Sequence, residues 1–172
     1  MHFTAGRRNG LASGLNDQVN NGYLYFLIDA EGNIGQNFSL DTWGYHAGES
    51  SFPGLSGTVS DDLVGIEVQC GGKLKKEDGV FKTWFNTIVP DAEVRTVPAN
   101  ANQEAGSYEK YTTAQEESLV NLLFWLHRNN PEVFSIDFVL GHDEVSPGRK
   151  NDPGGALSMN MPDFRTKLKT LV

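Results

Sequence analysis

The chain has 172 residues, 38% of them hydrophobic and 21% charged, with a net charge of −8 and a pI near 4.9. This is the composition of one globular domain large enough to bury a core, and its acidic balance argues against nucleic acid as the main partner. Cys70 is the only cysteine, which excludes an intrachain disulfide, and no apolar run approaches the roughly 20 residues that membrane insertion requires.

The chain opens on Met1-His2-Phe3-Thr4-Ala5-Gly6. His2 reads as a strand end with no strand before it. The first strand is therefore expected to be truncated, or to continue upstream of Met1. An isolated histidine at a terminus is more often frayed than functional. Leu11, Leu15 and Val19 recur every four residues and predict a helix over 10–21, weakened by Gly14. Tyr23 to Ile28 predicts a strand, Asp29 to Gly32 a turn, and Asn33 to Phe38 the returning strand of a hairpin.

His46 follows in the Gly-rich stretch Trp43-Gly44-Tyr45-His46-Ala47-Gly48, either lining a polar pocket or packed within a loop, and Ser50 to Ser60 reads as loop. Leu63 to Cys70 is the next strand. It carries Glu67 on the face of Gly65 and Gln69, with Val64, Ile66, Val68 and Cys70 on the other. A carboxylate there either points to solvent or is buried at a cost. Residues 71–111 read as a long irregular insertion with a strand at Val80 to Phe85 and a short hairpin.

Thr112 and Gln115 form a capping-box pattern. Leu119, Leu122, Leu123 and Leu126 give an apolar helical stripe that Asn129-Asn130-Pro131 ends. His127, in the last turn, reads as structural. Ile136 to Leu140 predicts a strand, and Gly141 to Gly155 (GHDEVSPGRKNDPGG) the loop after it. Pro147-Gly148 and Asp152-Pro153-Gly154 are turn signals that can fold Asp152 back toward His142. Asn160 caps a last helix with Phe164, Leu168 and Leu171 on its buried side. The order of elements predicts a single α/β domain over 1–172, with a central mixed β-sheet flanked by helices.

Two histidines and a carboxylate with water are a common catalytic zinc set. His2, His46, Glu67, His142, Lys150 and Asp152 supply such parts, together with a carboxylate for proton transfer and a lysine for an oxyanion. Composition does not say that the parts meet.

Five motifs in order carry a resemblance. They are His2-Phe3-Thr4-Ala5-Gly6, the strand and turn from Tyr23 to Gly32, Tyr45-His46-Ala47-Gly48, Val64-Gly65-Ile66-Glu67, and the run from His142 to Gly154. The chain resembles the type-2 N-acetylmuramoyl-L-alanine amidases, the superfamily that includes peptidoglycan recognition proteins and phage lysozymes of the amidase type. Tyr45 stands where that family has tryptophan. The resemblance implies one Zn2+ per chain held by His2, His142 and Asp152. It implies Glu67 as general base and then acid, Lys150 as oxyanion stabiliser, and His46 lining the substrate groove. The implied reaction is hydrolysis of the amide between the lactyl group of N-acetylmuramic acid and L-alanine in peptidoglycan. A monomer acting on the cell wall is expected, in an endolysin-like or a bacterial setting. The alternatives are a binding-only peptidoglycan recognition module, which typically lacks a ligand or the glutamate, and a zinc hydrolase acting on another amide, which the Asp152-Pro153-Gly154 context argues against.

Overall fold

A computed structural model of the chain describes residues 1–19 and 24–171. Tyr23 and Asn20-Asn21, assigned above to a strand and a helix end, lie outside the described residues.

The central sheet has four strands in the order β1-β4-β2-β3: β1 His2–Phe3, β2 Phe26–Ile28, β3 Ile34–Gln36 and β4 Ile66–Val68. β4 runs parallel to both β1 and β2, while β3 returns antiparallel to β2, so the sheet is mixed as expected. Alternation along the strands assigns the two faces. Phe26, Ile28, Ile66 and Val68 belong to the main core with Leu119, Leu122, Leu123 and Leu126 of α3 (Thr113–Asn129) and Phe164 and Leu168 of α5 (Met161–Lys169). Leu27 and Gly35 face α1 (Leu11–Val19) instead. A Cβ on Gly35 would come within 3.0 Å of Leu11 and 2.6 Å of Leu15, so the missing side chain lets the helix lie close on the sheet. Helices thus cover both faces. His2 and Leu27 both pair with Glu67. Paired residues share a face, so His2 and Glu67 project on the α1 side.

Two short helices frame the loops: α2 (Val59–Asp62), which begins at the end of the stretch expected to be loop, and α4 (His142–Val145). Residues 71–111, expected to be an irregular insertion, differ most from expectation. In place of irregular chain with one hairpin, they form a five-stranded antiparallel sheet. Its strands are β5 Lys73–Glu77, β6 Val80–Lys82, β7 Ile88–Val89, β8 Val94–Val97 and β9 Gly106–Glu109, in the order β7-β6-β5-β9-β8. Residues 84–85 belong to a turn and not to the strand expected at Val80 to Phe85. This sheet supports the segment after Asp152. Arg95 Nη1 donates to the carbonyls of Gly155 (3.2 Å) and Ala156 (3.0 Å), and Tyr111 N donates to Ala156 O (2.9 Å).

Two further expectations need correction. Ile136–Phe138 is a 3₁₀ turn, capped by Ser135 Oγ accepting from Asp137 N, and not a strand. Helix α5 stops at Lys169, which leaves Leu171 54% exposed in place of buried.

Candidate metal centre and catalytic groups

His142 is the first residue of α4. The start of that helix is fixed from outside: Glu144 Oε2 accepts from Gly141 N, and Arg165 of α5 holds both Glu144 oxygens at 2.7 Å. Such a two-pronged guanidinium–carboxylate pair restrains orientation as well as distance. The loop then closes on itself as its turn residues suggest, through Asp143 N donating to Asp152 O at 2.8 Å. Asp152 is thereby returned to His142.

His2 comes from the far end of the chain and is firmly held despite the brevity of β1. It is 5% exposed. Tyr111 Oη donates to its carbonyl at 3.3 Å, and His142 N donates to Met1 O at 3.1 Å. The expectation that a short first strand leaves this histidine loosely placed is not met.

The three side chains converge. His2 Nδ1 lies 2.8 Å from His142 Nδ1, and Asp152 Oδ2 lies 3.2 Å from the former and 3.1 Å from the latter. Nitrogen and oxygen ligands about 2.0–2.1 Å from a tetrahedral zinc stand roughly 3.3 Å apart. The triangle is therefore one face of such a tetrahedron, slightly contracted. All three residues are buried, and they form a candidate metal site among the described residues. The proton states also suit. Burial, foremost, pushes the His2 imidazole down to about 3, and the neutral ring is the ligand form. Burial opposes ionisation of Asp152, but the His142 and His2 rings beside it outweigh that effect and hold its carboxyl well below the ordinary range.

The other ring nitrogens are engaged as well. His142 Nε2 lies 3.0 Å from Ala47 O, so it carries the hydrogen and leaves the Nδ1 lone pair toward the other two ligands. His46, expected in the substrate groove, borders a neighbouring cavity and is also in contact with His2, its Nδ1 3.3 Å from His2 Nε2.

Glu67 Oε2 is inaccessible and has no hydrogen-bond partner. A buried carboxylate oxygen left unpaired is costly, which makes Glu67 a functional-site candidate. Burial pushes the Glu67 carboxyl up to about 8, and the charge of Asp152 adds to the effect. Lys150 is close enough to act in the opposite sense, so Glu67, Lys150 and Asp152 share one electrostatic neighbourhood.

A cavity of about 420 Å³ opens beside His2, His46 and His142, walled by apolar residues such as Leu63, Val64, Phe138 and Leu140. His2 and His142 border this cavity, while Glu67 and Lys150 do not. His127, read as structural, lies in the last turn of α3 with its ring 5.7 Å from that of Phe134.

Two participants carry no sequence signal of their own role. One is the Ala47 carbonyl, a backbone group. The other is Arg149, which donates to Ala47 O (2.7 Å), Glu49 O (2.6 Å) and Ser146 Oγ (2.7 Å), clamping the 46–49 loop to the turn after α4. Its position next to Lys150 was the only hint available.

A model of the N-acetylmuramoyl-L-alanine amidase family matches residues 1–155. Three solved structures are similar in fold. AmiD from E. coli, solved with the substrate anhydro-N-acetylmuramic acid-L-Ala-D-gamma-Glu-L-Lys, is 19% identical with a TM-score of 0.67, over 98% of this chain and 55% of AmiD. AmpDh3 from Pseudomonas aeruginosa, in complex with anhydromuramic pentapeptide, is 19% identical with a TM-score of 0.64, over 98% and 57%. A selenomethionine derivative of AmpD is 24% identical with a TM-score of 0.52, over 83% and 57%. The chain thus spans little more than half the length of each. No curated protein matches it.

Proposed function

The chain belongs to the N-acetylmuramoyl-L-alanine amidase family, and from that premise we propose that it hydrolyses the amide between the lactyl group of N-acetylmuramic acid and L-alanine in peptidoglycan, with zinc bound by His2, His142 and Asp152. The observation that carries this reading is the convergence of those three buried ligand atoms beside a carboxylate oxygen that has no partner. The substrate named in the AmiD complex and the anhydromuramic pentapeptide in the AmpDh3 complex are of the same chemical class.

Zinc bound there supplies a Lewis acid and lowers the pKa of water toward about 7. The remaining work falls to the chain. Glu67 accepts a proton from the attacking water and returns it to the departing amine of L-alanine. A carboxyl whose proton affinity is raised to near neutrality suits both halves of that transfer. Lys150 sets its ammonium against the scissile carbonyl oxygen as negative charge develops on it. Walls that hold these groups out of bulk water strengthen each electrostatic interaction. A binding-only module has no use for an unpaired carboxylate beside a complete ligand set, which favours the enzyme.

The test is digestion of defined muropeptides by zinc-loaded and chelator-treated protein, with mass spectrometry of the products and metal analysis of each preparation. Free stem peptide beginning at L-alanine, formed only by the zinc-loaded sample, is expected. Cleavage at another bond, or undiminished cleavage by protein freed of zinc, overturns the assignment.

A further inference from the structure

Resting on the zinc amidase reading, we propose that His46 is a positioning residue that fixes the tautomer and ring orientation of His2. The His46 ring stands between two partners: its Nε2 lies 2.6 Å from Leu63 O and its Nδ1 lies 3.3 Å from His2 Nε2. A carbonyl oxygen only accepts, so His46 Nε2 carries the hydrogen and His46 Nδ1 is the acceptor. His2 Nε2 must then be the donor. His2 Nδ1, the nitrogen that faces His142 and Asp152, keeps its lone pair for a cation. Both ring nitrogens are thereby used, and none is left to bind substrate.

The arrangement is built rather than incidental. Ser60 Oγ accepts from the backbone N of His46 (3.2 Å) and of Ala47 (3.0 Å), fixing the segment that bears the ring. A Cβ on Gly65 would lie 2.8 Å from His46 Cγ, so glycine at that strand position leaves the ring its space. The next residue repeats the function for the other histidine, since Ala47 O accepts from His142 Nε2 and is itself clamped by Arg149. One dipeptide, His46-Ala47, therefore orients both imidazoles of the metal set. Outer partners of this kind hold a ligand in the correct tautomer and raise its basicity.

The experiment compares wild type, His46→Phe, His46→Asn and Gly65→Ala for zinc affinity, by competition with a chromogenic chelator at pH 7.5. The urea midpoint of each metal-free protein separates misfolding from lost affinity. His46→Phe keeps the bulk and removes the acceptor, and is expected to weaken zinc roughly 10–100-fold. His46→Asn places an amide oxygen where Nδ1 stood and is expected to restore most of the affinity. Gly65→Ala, which displaces the ring without changing it, is expected to fall with His46→Phe. A ring-proton NMR readout is independent of affinity: the zinc-loaded wild type and His46→Asn should show a slowly exchanging His2 Nε2–H that His46→Phe lacks. Wild-type affinity in His46→Phe, or equal losses in the Phe and Asn variants, overturns the positioning role. A wild type that takes up no zinc at all overturns the metal reading on which it rests, and is recognised before any variant is compared.

Discussion

Glu67 is where the physical cost of the site is concentrated, because its inaccessible Oε2 has no partner and its carboxyl is raised to about 8. The consequence for stability has a definite sign. Between the ordinary carboxyl value and about 8, the folded metal-free protein holds a proton that the unfolded chain has released. Stability from this group is therefore full at low pH and is lost as pH rises through that window. Glu67→Gln cannot ionise and removes the slope. Relative to wild type, metal-free Glu67→Gln should be more stable at pH 9 than at pH 5, by on the order of a few kcal/mol. Urea titrations at the two pH values check this, and parallel profiles would refute it. The same variant should keep zinc and lose roughly 10²–10⁴-fold in turnover of muropeptide, since it removes proton transfer and no ligand. The sequence makes only part of this visible. His142, Lys150 and Asp152 lie in one short stretch and are readable together. His2 and Glu67 are readable through the order of motifs. The engagement of His46 with His2 is not readable, because it depends on the approach of two loops and on the space left at Gly65.

At the level of elements, local signals translated and non-local ones did not. The start of α3 is the clearest success. Thr112 Oγ1 accepts from Gln115 N at 3.1 Å, Gln115 Oε1 accepts from Thr112 N at 2.9 Å, and the pattern spans only four residues. Thr112 Oγ1 also donates to Ala30 O (2.8 Å), and the fully buried Gln115 donates to Gln69 O (2.8 Å), so the cap ties α3 to the ends of two other segments. Thr112→Ala should cost about 1–2 kcal/mol in urea unfolding at unchanged m-value, while zinc affinity stays as it was. A neutral substitution would show that the cap is redundant. Residues 71–111 misled for the opposite reason. β5 reads Lys-Leu-Lys-Lys-Glu, with little apolar alternation, and it pairs with β9 some thirty residues away. No local period announces such pairing. Ile136 to Leu140 misled because a short apolar run fits a strand and a turn equally well, and Ser135 capping Asp137 N decides for the turn.

At the scale of the whole molecule, the ligand set joins residues 2, 142 and 152, which are close only in the folded state. A cation that binds the native chain and not the unfolded one stabilises it by mass action, about 2.7 kcal/mol at a hundredfold excess over the dissociation constant. For a domain of this length each kcal/mol moves the melting temperature by roughly 2–4 °C, so zinc-loaded protein should melt roughly 5–10 °C above chelator-treated protein. Asp152→Ala removes the charged corner and should erase most of the zinc-dependent rise in differential scanning calorimetry. Equal melting of the zinc-loaded and zinc-free wild type would mean that the contracted triangle is held by hydrogen bonds alone. Arg95 refines the comparison, because it supports Gly155 and Ala156 from the second sheet and touches no ligand. Arg95→Ala should lower both melting curves together and leave the zinc-dependent interval between them, which separates the rigidity that the second sheet provides from any cohesion that bound zinc adds.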